Sequence, residues 1–203
     1  MKKEILFIHS AGSQGPREGS SDLVAYLRRV LPENYELKCP AMPDPENPRY
    51  EYWKMKIEKE MGTLSGKAIL IGHSTGGSVL LKYLSEEPAM KSVAALFLIA
   101  APYWGIEQWQ MDEFMLPLDF PRGLPRIANI FLYHSHGDEL VPFGHVRAYA
   151  RKLPGATVRE IEGNEHIFLR GLPVLADDIR GVKMMNGSVS TPAKRSKRKR
   201  SQT

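Results

Sequence analysis

Cysteine occurs once, as Cys39, so no internal disulfide can form, and the chain reads as one kept in a reducing, cytoplasmic setting. Long apolar runs are missing as well. The longest, residues 93–101, has nine residues where a spanning helix needs about 20, so membrane insertion is not expected. The run at residues 5–8 is too short for the core of a secretory signal. A surplus of one charge is also lacking once the charge is located. The formal net charge is +5, yet six of the 28 Lys and Arg residues are Lys194, Arg195, Lys197, Arg198, Lys199 and Arg200. The 193 residues before them carry 22 cations against 23 anions, which argues against a basic, nucleic-acid-binding body. At 42% hydrophobic and 25% charged, the composition excludes collagenous, disulfide-rich and wholly disordered classes.

What remains is a single domain over residues 1–182, long enough to bury roughly 70% of its unfolded surface, followed by a disordered basic tail over 183–203. Contact with nucleic acid or an anionic surface is expected only through that tail, between Lys194 and Arg200. Short apolar runs at residues 5–8, 35–38, 68–71, 93–100, 129–134 and 157–161 read as six strands. Helical spacing fills the gaps at 21–30, 50–61, 77–85, 142–153 and 173–182. This alternation predicts an α/β fold: one doubly wound, mainly parallel six-stranded sheet with helices on both faces. Two stretches interrupt it, the Pro-rich 39–48 and the segment 102–126. Each follows a strand, where open α/β sheets place their ligands, so both are candidate pocket walls.

Chemistry concentrates at residues 68–81, where an apolar run leads into Gly72-His73-Ser74-Thr75-Gly76 and then a helical pattern. Glycines two before and two after a serine give it room at a sharp strand-to-helix turn. The hydroxyl of Ser74 then stands above the sheet, and the amide of Thr75 at the helix N-terminus is placed to face a developing oxyanion. A phosphate loop would need Lys followed by Ser or Thr after the last Gly, and Gly77 and Ser78 stand there instead.

A serine needs a base, and a histidine base needs a carboxylate to fix its tautomer. Asp138 follows the fifth predicted strand and His166 the sixth, which brings Ser74, Asp138 and His166 to one sheet edge in chain order. Glu139 and His145 compete for the acid and base roles, whereas His9, His73 and His134 read as structural. A second oxyanion amide is expected from the loop after the first strand, at Ala11 or Ser10. Tyr103, Trp104, Trp109 and Phe143 are candidate substrate-pocket walls. His134-Ser135-His136-Gly137-Asp138 matches a fragment of a dinuclear zinc motif, but Glu139 occupies the next histidine position, and no metal is expected.

Residues 5–12, 72–78, 137–143 and 163–166 together resemble the α/β-hydrolase superfamily. Within it they are most similar to small, lidless serine hydrolases of the retinoblastoma-binding protein nine type and their bacterial relatives. The resemblance spans about residues 4–182. It implies a cofactor-free enzyme acting on an ester or related acyl bond of a small molecule through an acyl-enzyme. The family often has His-Gly where this chain has His9-Ser10, and residues 102–126 are short for a cap domain. The alternative is a hydrolase-fold binding protein with weak or no catalysis, which labelling with an activity-based probe would distinguish.

Overall fold

Strands rich in Ile, Leu, Phe and Val, buried on both faces, need cover above and below, and the intervening amphipathic helices supply it. The structure, a computed structural model, describes residues 2–87, 93–106 and 108–183. The expected tail from residue 184 onward lies outside the described residues. In chain order the elements are β1 (Lys3–Ile8), α1 (Ser21–Val30), β2 (Tyr35–Lys38), α2 (Tyr50–Gly62), β3 (Ala68–His73) and α3 (Thr75–Glu86). They continue with β4 (Val93–Ile99), a 3₁₀ turn (Asp112–Phe114), α4 (Phe120–Gly123), β5 (Ile130–Ser135), α5 (Gly144–Lys152), β6 (Thr157–Ile161) and α6 (Pro173–Gly181).

The six strands form one parallel sheet in the order β2-β1-β3-β4-β5-β6. Because β2 goes to one side of β1 and β3 to the other, the chain reverses direction across the sheet there. The crevice above the strand C-termini at this point is the natural ligand position. The side-chain alternation of the strands divides the core in two. Leu6, Leu70, Leu96 and Leu132 pack against Trp53 and Ile57 of α2, Leu80 and Leu84 of α3, and Val146 of α5. Ile5, Ile69, Phe97 and Tyr133 pack on the other face against Leu23 and Leu27 of α1 and Leu175 and Ile179 of α6. Each fully buried side chain of this kind contributes about 1.5–3 kcal/mol.

Among the described residues no helix is long and apolar enough to cross a membrane. Among its described residues, the segment 102–126 holds the 3₁₀ turn, the single turn α4 and an isolated bridge between Ile106 and Trp109. It folds back over the sheet edge, where Ser78 Oγ and Tyr149 Oη both donate to the Pro102 carbonyl, at 2.6 and 2.7 Å.

Candidate active site

Ser74 links β3 to α3 with φ 52° and ψ −130°, a left-handed conformation that costs a residue with a side chain about 1–3 kcal/mol. The surroundings hold it there: Ser74 N donates to Ile99 O at 2.8 Å, and Gly77 N donates to Ser74 O at 2.9 Å. The flanking glycines are required by contact rather than by conformation, since neither has a positive φ. A Cβ at Gly72 would lie 2.5 Å from Gly77 Cα, and one at Gly76 would collide with the His9 carbonyl.

Two further loops bring side chains to this turn. His166 Nδ1 donates to Asp138 Oδ2 at 2.7 Å, and its Nε2 lies 3.1 Å from Ser74 Oγ, placed to accept the hydroxyl proton. The other carboxylate oxygen of Asp138 accepts the amides of Leu140 and Val141 at 3.0 and 2.9 Å. Burial opposes ionisation of Asp138, but the His166 bond, the Val141 amide and the neighbouring imidazoles outweigh it and hold its pKa below the ordinary value. The Asp138 and His166 loops are tied together by backbone bonds, His136 N to Ile161 O at 2.9 Å and Gly137 N to Gly163 O at 2.8 Å. The Asp138 and His166 side chains therefore hold their relative positions without a substrate.

Of the two amides left open in the loop after β1, Ser10 N donates to Ser20 Oγ at 3.0 Å and is occupied. Ala11 N and Thr75 N donate to no acceptor among the described residues. Both residues line a cleft of about 310 Å³ that also contains Ser74 and His166. Both also line a second cleft of about 430 Å³, walled by Trp104, Met111 and Phe114.

A family model described as serine hydrolase matches residues 24–170, a span that includes Ser74, Asp138 and His166. The chain belongs to that family. YdeN of Bacillus subtilis (strain 168), classed as a hydrolase, is 24% identical over 184 residues, which cover 87% of this chain and 94% of YdeN. The YdeN crystal structure superposes on this serine hydrolase with a TM-score of 0.74 at 22% identity, over 89% of this chain and 98% of that one. A YdeN-like hydrolase from Pectobacterium atrosepticum gives 0.65 at 15% identity, over 89% of this chain and 90% of its own. Est1E from Butyrivibrio proteoclasticus gives 0.63 at 13% identity, over 89% and 86%. At these identities the structural likenesses establish the α/β-hydrolase fold.

The serine hydrolase carries a second histidine in its elbow with a different task. His73 is fully buried. Its Nε2 lies 2.8 Å from the His166 carbonyl, which can only accept, so Nε2 carries the proton and Nδ1 accepts from Ser20 Oγ at 2.8 Å. Ser20 Oγ in turn receives the Ser10 amide, so one imidazole connects the loop after β1 to the loop that carries His166. Burial, and next the nearby His166 imidazole, push the pKa of His73 down from 6.5 to about 3. Between those values the unfolded chain binds a proton that the folded ring refuses, so stability falls as pH falls through this window. The slope from one such group is at most about 1.4 kcal/mol per pH unit. Burial lowers His9 and His134 in the same direction. Urea unfolding between about pH 7 and pH 5 should therefore show a falling midpoint and a shallower fall in His73→Gln. Equal slopes would show that His73 does not stay neutral.

The remaining expected site residues divide. Trp109 lines the cleft that holds Ser74, and Trp104 lines the adjoining one. The two rings meet edge to face at 5.2 Å across a tight turn in which Gly105, at φ 98°, donates its amide to Trp109 O. Tyr103 packs edge to face on Tyr149, and Phe143 stacks on His136, so neither is among the residues lining the two clefts. His145 lies in α5 and accepts the Tyr103 amide at 2.8 Å, while Glu139 is exposed. In the zinc-like fragment, His134 Nε2 donates to Val141 O at 2.6 Å and His136 faces Glu160 at 3.1 Å, so the two imidazoles diverge. Among the described residues no three His, Cys, Asp or Glu side chains gather as metal ligands. The buried Nδ1 of His9 has no partner among the described residues. Sequence reasoning did not single out Leu140, Val141 and Ile167, which complete the smaller cleft. All three are close in sequence to Asp138 or His166 and are carried in with them.

Proposed function

We propose that this hydrolase cleaves esters of small molecules through an acyl-enzyme on Ser74, with His166 as base and acid and Asp138 as its orienting carboxylate. The observation that carries the reading is the relay of two hydrogen bonds, Ser74 to His166 to Asp138, standing beside two uncommitted amides in one cleft. Ser74 Oγ forms a bond to the acyl carbon while its proton passes to His166 Nε2, and the carbonyl π pair moves onto the oxygen facing Thr75 N and Ala11 N. Each such donor is worth about 3–4 kcal/mol of transition-state stabilisation. The bond from carbon to the leaving oxygen then breaks as Nε2 returns the proton to that oxygen. Water repeats the sequence, with His166 again taking the proton, and frees the acid.

No cofactor enters any step. The single cysteine supports a cytoplasmic setting, and the substrate is a small acyl compound. The full chain should be labelled once by a fluorophosphonate, on the peptide containing Ser74, and should hydrolyse p-nitrophenyl acetate. Absence of both would favour the binding-protein alternative. Deleting residues 190–203 should leave that hydrolysis largely unchanged, and a large loss would place the tail within the catalytic unit.

A further inference from the structure

Two clefts share Ala11 and Thr75, and they differ in whether they contain the pair Ser74 and His166. The 310 Å³ cleft contains it, together with Trp109, Leu140, Val141 and Ile167. The 430 Å³ cleft does not. It is walled by Trp104, Phe114, Met111 and Pro48, with the exposed Arg49 paired to Glu113 at 3.1 Å. Both volumes lie within the roughly 300–1,000 Å³ of small-molecule sites, so each can hold a substantial group.

This asymmetry sorts the two ends of a substrate. A carbonyl oxygen held by the shared amides sits at the junction, and the carbon beneath it carries two substituents that must diverge. The leaving oxygen has to receive its proton from His166 Nε2, so it and its substituent belong in the cleft that His166 lines. The acyl chain stays on Ser74 after that bond breaks; Ser74 itself lines the smaller cleft, so the chain reaches the larger one past Ala11 and Thr75, which line both. We infer that the 430 Å³ cleft is the acyl site and the 310 Å³ cleft the leaving-group and water site, so that the preferred substrates join a bulky apolar acyl group to a smaller apolar alcohol. This rests on the acyl-enzyme reading of Ser74.

The lining supports the chemical class. Phe114 is buried and Trp104 half-buried, the two rings lie 5.4 Å apart, and the Arg49–Glu113 pair neutralises its own charge. An apolar acyl body gains contact with these rings, and Glu46, the remaining charged residue of the lining, is exposed and keeps its carboxylate in water. Once the alcohol departs, the smaller cleft empties beside His166 and admits water while the acyl group stays anchored.

The two clefts can be narrowed independently. Met111 lines only the larger one and is 42% exposed, and Leu140 lines only the smaller one and is 63% exposed, so both positions accept a larger side chain without displacing buried neighbours. kcat/KM of the full chain is to be measured with phenyl acetate, phenyl octanoate and methyl octanoate. Met111→Trp should reduce the octanoate-to-acetate preference by about tenfold or more and leave the phenyl-to-methyl ratio close to that of the unsubstituted chain. Leu140→Trp should do the reverse. A reversed pattern, or both ratios responding together, overturns the assignment of the clefts, as does a ratio that responds to neither substitution. Fluorophosphonate labelling, run in parallel, separates the failures. Labelled protein without the crossed pattern sinks only the cleft assignment, whereas an unsubstituted chain that takes no label sinks the acyl-enzyme reading and this inference with it.

Discussion

Ser74→Ala lowers kcat for p-nitrophenyl acetate on the order of 10⁵- to 10⁶-fold and removes fluorophosphonate labelling altogether. The size of the effect follows from the proposed role of Ser74 as nucleophile. Without Oγ no acyl-enzyme forms, and what remains is water attacking a carbonyl that is merely held by two amides and a cleft. The substitution is also a clean one. Alanine keeps the Cβ, so the strained φ of 52° and the bonds to Ile99 O and from Gly77 N persist in the variant. The hydroxyl's partner within the protein is His166 Nε2, which lies at 3.1 Å in a cleft open to water and is not stranded by the loss. The midpoint of thermal unfolding should therefore move by no more than a few degrees. A variant that retains turnover, or still takes the label at residue 74–containing peptides, would remove Ser74 from its assigned role.

The parts of the molecule legible in the sequence are those set by local pattern. Residues 35–38 and 157–161 are strands with the expected bounds, and α1 spans the expected 21–30, because apolar periodicity and a turn at each end are recorded within a few residues. Helix α3 begins at Thr75, two residues before the expected start at 77. Gly76 and Gly77 have poor helix propensity, but here they are packed against His9 O and Ala101 Cβ, and tertiary contact overrides propensity. The elbow and the positions of Asp138 and His166 were legible because each sits directly after a strand. Contacts between distant loops were not. Ser20 and His73 are 53 residues apart and His73 and His166 are 93 apart, and no local pattern announces their bonds. The same limit applies to Tyr103 and Phe143. Their position after strands made them pocket candidates, yet only the path of the chain beyond β4 and β5 turns Trp104 and Trp109 toward the clefts and Tyr103 toward Tyr149.

Asp138→Asn is the second large effect, and its cause can be worked out atom by atom. Oδ1 accepts two backbone amides, from Leu140 and Val141, so an asparagine must keep its carbonyl oxygen there and turn its NH₂ toward His166. That NH₂ is a donor where Oδ2 was an acceptor at 2.7 Å, and Nδ1 must then give up its proton and accept. The neutral ring consequently carries its hydrogen on Nε2, facing Ser74, and has no lone pair with which to receive the hydroxyl proton. kcat should fall about 10⁴-fold with little change in the fold, since shape and the two amide bonds are preserved. Asp138→Ala provides the comparison. It removes the orienting group but leaves the tautomer free, so it should retain at least as much activity as the asparagine variant despite the larger structural loss. If Asp138 acted only through its charge, the two variants would be equally impaired for that reason alone, and alanine would be the worse for its unpaired Leu140 and Val141 amides. An asparagine variant within about tenfold of the unsubstituted chain would show that tautomer control at His166 is not what the carboxylate supplies.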